Sequence, residues 1–382
     1  MTRPTISFCT YTFNDAEFTA DLIRQTRMFS MRPDEIVVVD DGSDTPFVMD
    51  DAPANLRVLR FEKNRGITAA KGAGLSAASG DFIFSMDCDT RVSTTWLERN
   101  LPHAAVPEIG LVGGSLVYRS GDDLVSRYLS VFGDNHNQHH VGAADFIPGN
   151  AFLLRRKTWE QAGGFDGYGE TNCQDHYLCG RLKDLGYTLF SDARAEAWQL
   201  RRITRTTMCK RVWKWCHKPI KRQACEADDI VNYLFGTFVA PMLDRCDNSA
   251  VLGEPLFYYL ELLYLAHAVL DTLDHLVAQG RMSAQKHGGF LAELVELFAG
   301  YPRIQAMYRA DLYAMGHDML ASVPSGDTAA WREFFMFAPM MQKGGLFTWL
   351  EEQGVAQLVR DEVEAEYDFS SYAEATYEVV NA

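Results

Sequence analysis

The sequence predicts an α/β protein, in which a Rossmann-like, mostly parallel sheet is followed by a mainly α-helical domain. In the first part of the chain, short β-rich runs alternate with helical patterns, as in parallel sheets with helical crossovers. The second part contains long helical runs with almost no strand signal. We therefore expect two domains, residues 1–225 and residues 226–382, with the boundary near Cys225.

The expected strands are short runs rich in β-branched and aromatic residues, and the expected helices are longer stretches of helical periodicity. The predicted strands are Thr5–Cys9, Glu35–Val39, Arg57–Phe61, Phe82–Met86, Leu111–Tyr118, Ala151–Arg155 and Thr188–Phe190. The predicted helices of the first domain are Ala16–Met28, Ile67–Ala78 and Asp175–Leu185. Those of the second domain are Leu256–Val277, Gly289–Ala299, Thr328–Met341 and Phe347–Glu364. Right-handed crossovers bring the carboxyl ends of parallel strands to one edge, so we expect the binding residues there.

Composition and charge narrow the function. The chain has 382 residues, of which 47% are hydrophobic and 23% charged, as in a globular protein with a large core. A formal net charge of -15 argues against a general nucleic-acid binder, which needs a cationic surface. Eight scattered cysteines lack zinc-ligand spacing, and the N-terminal residues do not resemble a secretory leader. We expect a cytoplasmic protein in which the apolar stretch Pro255–Leu270 forms a buried helix rather than a membrane span.

One segment, residues 201–222, concentrates positive charge and contains Trp213 and Trp215. This composition suits contact with a diphosphate, a phosphorylated acceptor or an anionic membrane surface. A mobile lid over a bound donor and a solvated linker are further interpretations.

Asp87 and Asp89 follow the predicted strand Phe82–Met86 and are separated by one residue. Side chains two apart on an extended segment project to the same face, so both carboxylates can approach one hard cation, Mg²⁺ or Mn²⁺. A metal bound there can hold a diphosphate. Acidic residues at this spacing also occur in ordinary solvated turns.

Four signals occur in order: Thr12-Phe13-Asn14, Asp40-Asp41-Gly42-Ser43, Asn64-Arg65-Gly66 and Asp87-Cys88-Asp89. Together with Gly163-Gly164-Phe165-Asp166 and Gln174-Asp175, this order resembles the nucleotide-sugar-binding half of family-2 glycosyltransferases, over roughly residues 5–200. The resemblance implies a glycosyltransferase-A fold for the sheet domain.

The resemblance implies a role for each acid. Asp41 recognises a uracil or thymine base, Asp87 contacts ribose or the metal, and Asp89 is the metal ligand. Asp175 is the catalytic base. The residues alone also allow a turn at Asp40-Asp41 and a helix N-cap at Asp175.

Other candidate contacts are less specific. Thr12 is expected to bind the base and Phe13 to stack on it, although an aromatic residue after a strand is often core. Arg65 and Lys71 are expected to contact the nucleotide or its phosphates, unless they are solvated helix charges. His217 is a third candidate metal ligand, with packing as its alternative.

Two departures from the family pattern affect the site. Gln174 stands where a glutamate usually precedes the base, and Gln199 stands where many relatives carry a metal-binding histidine. An amide oxygen is a weaker metal ligand than an imidazole, so Gln199 puts metal affinity in question.

The sequence therefore predicts an inverting, metal-assisted glycosyltransferase that moves a sugar from a nucleoside-diphosphate sugar, UDP-linked, to an acceptor hydroxyl. The acceptor is a saccharide, a lipid-linked molecule or a protein. Contact with the inner face of a membrane and homo-oligomer formation are left open. The alternative is a noncatalytic nucleotide-sugar-binding or membrane-peripheral scaffold protein.

Overall fold

A computed structural model describes residues 3–118, 123–132, 140–319 and 327–363. Contacts divide these residues into two compact units. The first contains residues 3–118, 129–132 and 140–201, and the second contains residues 123–128, 202–319 and 327–363.

The first unit is built on one mixed sheet, which has nine strands within the described residues. The strands are β1 (Ile6–Thr12), β2 (Glu35–Asp40), β3 (Leu56–Arg60), β4 (Phe82–Met86), β5 (Thr90–Val92), β6 (Ile109–Tyr118), β7 (Val141–Ala144), β8 (Ala151–Arg155) and β9 (Thr188–Gln199). Their order is β3-β2-β1-β4-β8-β6-β9-β5, with β7 paired to β9. The β3-β2-β1-β4 half is parallel, whereas β8 runs antiparallel to β4 and β6.

Helices cover this sheet. They are α1 (Ala16–Thr26), α2 (Ile67–Ala77), α3 (Trp96–Ala104), α5 (Arg156–Ala162) and α6 (Gln174–Asp184), while α4 (Leu124–Phe132) is divided between the two units. Every residue of β4 is buried, as expected for a central strand covered on both faces. On one face Phe84 stacks on Trp96 with ring centroids 4.6 Å apart, and on the other Ile83 joins a cluster with Trp159.

The second unit consists of helices and the turns between them, and its described residues contain no strand. Its α-helices are α7 (Arg205–Glu226), α8 (Ile230–Leu234), α9 (Ala240–Leu252), α10 (Leu256–Ala278), α11 (Ala284–Leu297), α12 (Pro302–Ala314), α13 (Ala338–Lys343), α14 (Leu346–Trp349) and α15 (Val355–Val363). Short π-helical turns, Phe235–Val239 and Leu350–Gly354, and a 3₁₀ turn, Ala329–Trp331, complete it.

Helix α10 forms the centre of the second unit. Among the described residues, it is the helix long and apolar enough to cross a membrane by length and composition, and 83% of its most apolar 18-residue window is buried. A core helix passes the same test. Glu261 on this helix is fully buried and accepts a hydrogen bond from Arg245 at 2.6 Å.

The predicted fold class is confirmed, but some boundaries differ. The units separate between Arg201 and Arg202, before the expected boundary near Cys225. The basic segment lies mostly in α7, where Thr204 caps the helix by accepting a hydrogen bond from the Thr207 amide and Trp213 is buried. The solvated-linker interpretation is therefore wrong, because these residues continue into a packed helix.

Several predicted elements differ from those in the structure. The strand predicted at Thr188–Phe190 extends to Gln199, and neither β5 nor β7 was expected. The run Thr328–Met341 contains turns between the 3₁₀ turn and α13. The last residue of the predicted helix Phe347–Glu364 lies outside the described residues, which end at residue 363.

Candidate functional site

The loops after β1 and β2 meet at one edge of the sheet. The Asp41 amide donates to the Thr12 carbonyl at 2.8 Å, and the Asn14 amide donates to Ser43 Oγ at 2.9 Å. Parallel pairing of β1 with β2 places these residues side by side. The edge predicted to bind ligand is thus formed as the sequence indicated.

Asp41 is almost completely buried and connects the end of β2 to the turn before α2. Its two carboxylate oxygens accept hydrogen bonds from the Arg65 amide at 2.8 Å and the Gly66 amide at 2.9 Å. Burial raises the pKa of Asp41, while these amides act in the opposite direction. Gly66 has φ of +87°, so a residue with a side chain would be strained there. Asp41 shapes this turn, and its contact with a base remains a prediction.

Asp40 has a different environment. Its carboxylate accepts hydrogen bonds from the Ser43 amide at 2.9 Å and the Phe47 amide at 3.0 Å, and it pairs with Arg60. Burial alone would raise the pKa of Asp40, but these donors together lower it. The turn interpretation is confirmed for Asp40.

Asp87 is held by Lys71, whose side chain is only 2% exposed. Lys71 Nζ donates to Asp87 Oδ1 at 2.7 Å and to the Gly149 carbonyl at 2.6 Å. The Asp87 amide donates to the Asn150 carbonyl at 2.9 Å, which fixes the backbone after β4 against the start of β8. The structure therefore shows Lys71 as the partner of Asp87. A contact between Lys71 and phosphate stays a prediction.

Asp89 is paired with Arg201, at the other side of the same turn. Arg201 Nε donates to Asp89 Oδ2 at 2.8 Å, and its terminal nitrogen donates to Asp15 Oδ2 at 2.7 Å. Gln199 lies beside Asp89, since its side-chain amide approaches the Asp89 carbonyl at 3.5 Å. Gln199 therefore lies next to Asp89, and the role of Asp89 as a metal ligand stays a prediction.

The two acids fit a hard divalent cation by donor type, because both supply carboxylate oxygen. Within residues 3–118, 123–132, 140–319 and 327–363, no group of three or more His, Cys, Asp or Glu side chains is arranged to hold a metal. His217 lies on α7, where its Nδ1 is 3.0 Å from the Lys214 carbonyl. His217 as a third ligand therefore stays a prediction.

Asp175 lies in the first turn of α6 but does not cap this helix. The N-cap residue is Cys173, which has left-handed backbone geometry and no side-chain capping bond. The N-cap interpretation of Asp175 is therefore wrong. Instead, Asp175 Oδ2 accepts the Gly149 amide at 3.0 Å, and Oδ1 accepts the His176 amide at 2.9 Å.

Gly149 connects the two predicted functional acids. Its amide donates to Asp175, and its carbonyl accepts from Lys71, which also binds Asp87. A Cβ atom at position 149 would lie 3.1 Å from Asp175 Oδ2, closer than ordinary packing allows. The chain Asp87, Lys71, Gly149, Asp175 brings together residues far apart in sequence.

The other candidate residues differ in exposure. Phe13 is 41% exposed, so the core interpretation is wrong. Thr12 is buried, and its hydroxyl has no hydrogen-bond partner within the described part of the chain. Arg65 is exposed and lies over the Phe61 ring, 4.6 Å from its centroid. Contacts of these three with a nucleotide remain predictions.

A cavity of about 690 Å³ lies in the first unit between α2, α5 and the loop after α5. Arg65, Trp159, Phe165 and Tyr168 are among its lining residues. None of the acids Asp87, Asp89 and Asp175 lines it, so we do not place the chemistry there.

Sequence reasoning missed the partners of the acids. Arg201 is one of several basic residues in the segment 201–222, and no sequence pattern marks Asp15 as its partner. The link of Gly149 to both Lys71 and Asp175 joins segments distant in sequence and has no local sequence signal. The signal available was the position of Arg201, two residues after Gln199 at the end of a strand.

The first part of the chain is similar to known proteins. Residues 7–168 match the sequence profile described as "Glycosyl transferase family 2". A protein from Mycobacterium tuberculosis named pre-mycofactocin glycosyltransferase is 31% identical over 176 residues, which are 42% of this chain and 36% of that protein. A poly-beta-1,6-N-acetyl-D-glucosamine synthase from Staphylococcus epidermidis is 23% identical over 211 residues, covering 51% of this chain and 50% of that protein. The chain thus spans half or less of the length of these relatives.

A solved structure is also similar. The mannosyltransferase PcManGT from Pyrobaculum calidifontis, in complex with GDP-Man and Mn²⁺, matches with a TM-score of 0.41 and 18% identity. The match covers 85% of this chain and 89% of that one. At this TM-score the likeness carries no argument about this protein.

Proposed function

We propose that this protein, whose residues 7–168 match the glycosyl transferase family 2 profile, transfers a sugar from a nucleoside-diphosphate sugar to an acceptor hydroxyl with inversion at the anomeric carbon. The proposed donor is UDP-linked and the proposed cofactor is Mn²⁺ or Mg²⁺. One observation carries the proposal: Lys71 and Gly149 hold Asp87 and Asp175 in one hydrogen-bonded chain.

The nucleotide is proposed to bind at the ends of β1 and β2. Phe13 supplies an exposed aromatic face for the base, and the Thr12 hydroxyl lacks a partner among the described residues. Asp41 keeps the following turn in place through the Arg65 and Gly66 amides, and a carboxylate oxygen can accept a second hydrogen bond. Base recognition by Asp41 is compatible with these contacts.

Asp87 and Asp89 are the residues proposed to hold the cation. A bound divalent ion supplies Lewis acidity that stabilises the leaving nucleoside diphosphate. Lys71 keeps the Asp87 carboxylate oriented, because its ammonium group is buried and bound on two sides. The Asp87 carboxylate is thereby fixed just after the end of β4.

Asp175 is proposed to remove the proton from the acceptor hydroxyl. Direct attack of an acceptor on the donor requires one base and no protein nucleophile, and it inverts the anomeric centre. The Gly149 amide fixes the Asp175 carboxylate relative to the segment that also holds Lys71. A positioned base and a positioned donor are what this reaction needs.

The proposal extends to a cytoplasmic location and to an acceptor that is a saccharide, a lipid-linked molecule or a protein. Membrane contact and oligomer formation remain open within it. A noncatalytic nucleotide-sugar-binding protein is the competing interpretation, and the experiment below distinguishes the two.

The test begins with thermal shift against UDP- and GDP-linked sugars in the presence of MnCl₂, because a ligand that binds the folded state raises its melting temperature. The stabilising donor is then used in transfer assays with wild-type, Asp175→Asn and Asp184→Asn protein. Asp184 is exposed at the other end of α6, so its variant makes the same chemical change away from the site.

We expect Asp175→Asn to lower the transfer rate by roughly 10²–10⁴-fold, because a general base contributes about that much. Donor binding and the Asp184→Asn rate should stay near wild type. Transfer by Asp175→Asn at the wild-type rate would remove Asp175 as the base. Donor binding without turnover in the wild-type protein, over a panel of saccharide, lipid-linked and peptide acceptors, would favour the noncatalytic interpretation.

A further inference from the structure

The Asp87–Asp89 pair is neutralised by two cations that are held differently. Lys71 is 2% exposed and is fixed by both Asp87 and the Gly149 carbonyl. Arg201 is 32% exposed, and its guanidinium group is held by the carboxylates of Asp89 and Asp15. Arg201 can therefore exchange partners with solvent or a ligand more easily than Lys71.

We propose that Arg201 is the exchangeable counter-ion of Asp89. A divalent cation that binds the Asp87–Asp89 pair displaces the guanidinium group of Arg201, which then pairs with the diphosphate of the donor. This inference rests on the proposed function for its second step, since that step needs a diphosphate.

The contact geometry implies that Arg201 and a metal ion compete for the Asp89 carboxylate. Arg201 Nε occupies Asp89 Oδ2 at 2.8 Å, in the range of a charge-assisted hydrogen bond. The guanidinium group of Arg201 is a cation at any working pH. A metal ion approaching Asp89 meets both an occupied oxygen and a like charge.

The backbone keeps Arg201 beside the site even when its side chain moves. The Leu200 amide donates to the Asp89 carbonyl at 2.9 Å, and Gln199 pairs with Thr90 between β9 and β5. The root of the Arg201 side chain is therefore fixed within reach of ligands at Asp89. A guanidinium group has a planar set of donors that matches phosphate oxygens.

A coupling between metal and nucleotide follows. Binding of metal alone separates Arg201 from Asp89 without giving it a new anion, whereas binding of metal with a nucleoside diphosphate does both. Arg201 should therefore weaken the binding of metal alone and increase the effect of the nucleotide on metal affinity. Such coupling is reciprocal between the two ligands.

The experiment measures Mn²⁺ binding by electron paramagnetic resonance, with MnCl₂ alone and with MnCl₂ plus UDP. The variants are Arg201→Ala and the control Arg194→Ala. Arg194 lies on the same strand and pairs with Asp192, and its side chain is 61% exposed, so its replacement removes the same charge from another carboxylate. We expect Arg201→Ala to bind Mn²⁺ alone roughly tenfold more tightly than wild type.

The same titrations measure the coupling. UDP should raise the Mn²⁺ affinity of Arg201→Ala by a smaller factor than that of wild type, while Arg194→Ala should match wild type in both. An unchanged or lower Mn²⁺ affinity in Arg201→Ala would overturn displacement. An unchanged UDP effect would overturn the contact with the diphosphate.

A second variant guards against misfolding. Arg201→Lys keeps the charge but loses the planar pair of donors, so its Mn²⁺ affinity should lie between those of wild type and Arg201→Ala, with circular dichroism confirming the fold. If Arg201→Ala does not fold, the Mn²⁺ affinity of Arg201→Lys decides the question. An affinity equal to that of wild type would contradict the proposal. The titration with MnCl₂ alone needs no turnover. Displacement of Arg201 by Mn²⁺ can therefore be disproved even if the protein transfers sugar, and it can be confirmed even if the protein does not.

Discussion

The sheet edge of the first unit and the core of the second both contain buried ion pairs, but the two sets differ in access to solvent. At the sheet edge each pair has one partly exposed member: Asp87 is 22% exposed beside Lys71, and Arg201 is 32% exposed beside Asp89. In the helical unit, Arg205 and Asp311 are 7% and 6% exposed. The ion pairs at the sheet edge are thus partly exposed to solvent, whereas the Arg205–Asp311 pair is buried.

The buried Arg205–Asp311 pair is held by several hydrogen bonds. Arg205 donates to both carboxylate oxygens of Asp311, at 2.5 and 2.8 Å, and the Tyr259 hydroxyl donates to Asp311 at 2.7 Å. A charge buried this way has a structural role, because its removal leaves its partner without compensation. The ion pairs at the sheet edge, by contrast, each have one partly exposed member.

The largest expected effect is on stability in the helical unit. Asp311→Asn should lower the free energy of unfolding by about 3–5 kcal/mol, because it leaves Arg205 buried without a charged partner. Urea denaturation followed by tryptophan fluorescence measures this. Asp228→Asn, an exposed position in the same unit, should change the unfolding free energy by less than about 0.5 kcal/mol. Equal stability of the two variants would show that the Arg205–Asp311 pair is not structural.

A smaller effect concerns the pH dependence of the helical unit. His267 Nδ1 lies 2.8 Å from His317 Nε2. Burial lowers the pKa of His267 to about 4 and also lowers that of His317. The surrounding charged and titratable groups are Asp271, Asp274, His287, Lys210 and Lys221.

The sign follows from these directions. Both folded-state pKa values lie below the unfolded value of about 6.5, so the unfolded chain binds protons first as the pH falls. The neutral His267–His317 pair contributes fully to the free energy of unfolding above about pH 6.5. This free energy should decrease by roughly 1–3 kcal/mol as the pH falls from there through 4. Urea denaturation at several pH values tests this. His267→Leu should reduce the slope over this range, and an unchanged slope would exclude the pair as its source.

The sequence could predict the sheet edge because periodicity and turn residues determine it locally. The run Phe82–Met86 is apolar at every position except Ser85, as a strand covered on both faces requires, so the position of Asp87 at its end follows. The predicted strand ended too early because the residues of β9 after Phe190 include polar and charged side chains. Asp192, for example, is fully buried but paired with Arg194.

Side-chain partners could not be predicted in the same way. Lys71 lies on the predicted helix, but its burial against Asp87 and Gly149 depends on packing between segments distant in sequence. The same is true of Arg201, whose partners Asp15 and Asp89 belong to other loops. The domain boundary near Cys225 was misplaced because composition separates the basic segment from the helical part, whereas α7 packs within the helical unit.

The central claim is that the acids at the sheet edge bind a nucleoside diphosphate through a divalent cation. Calorimetric titration of UDP into wild-type and Asp89→Asn protein, with MnCl₂ and with EDTA, tests it most directly. We predict that MnCl₂ raises the UDP affinity of wild type by roughly tenfold or more, and that Asp89→Asn loses this gain while folding normally. The same Mn²⁺-dependent gain in both proteins would contradict the account.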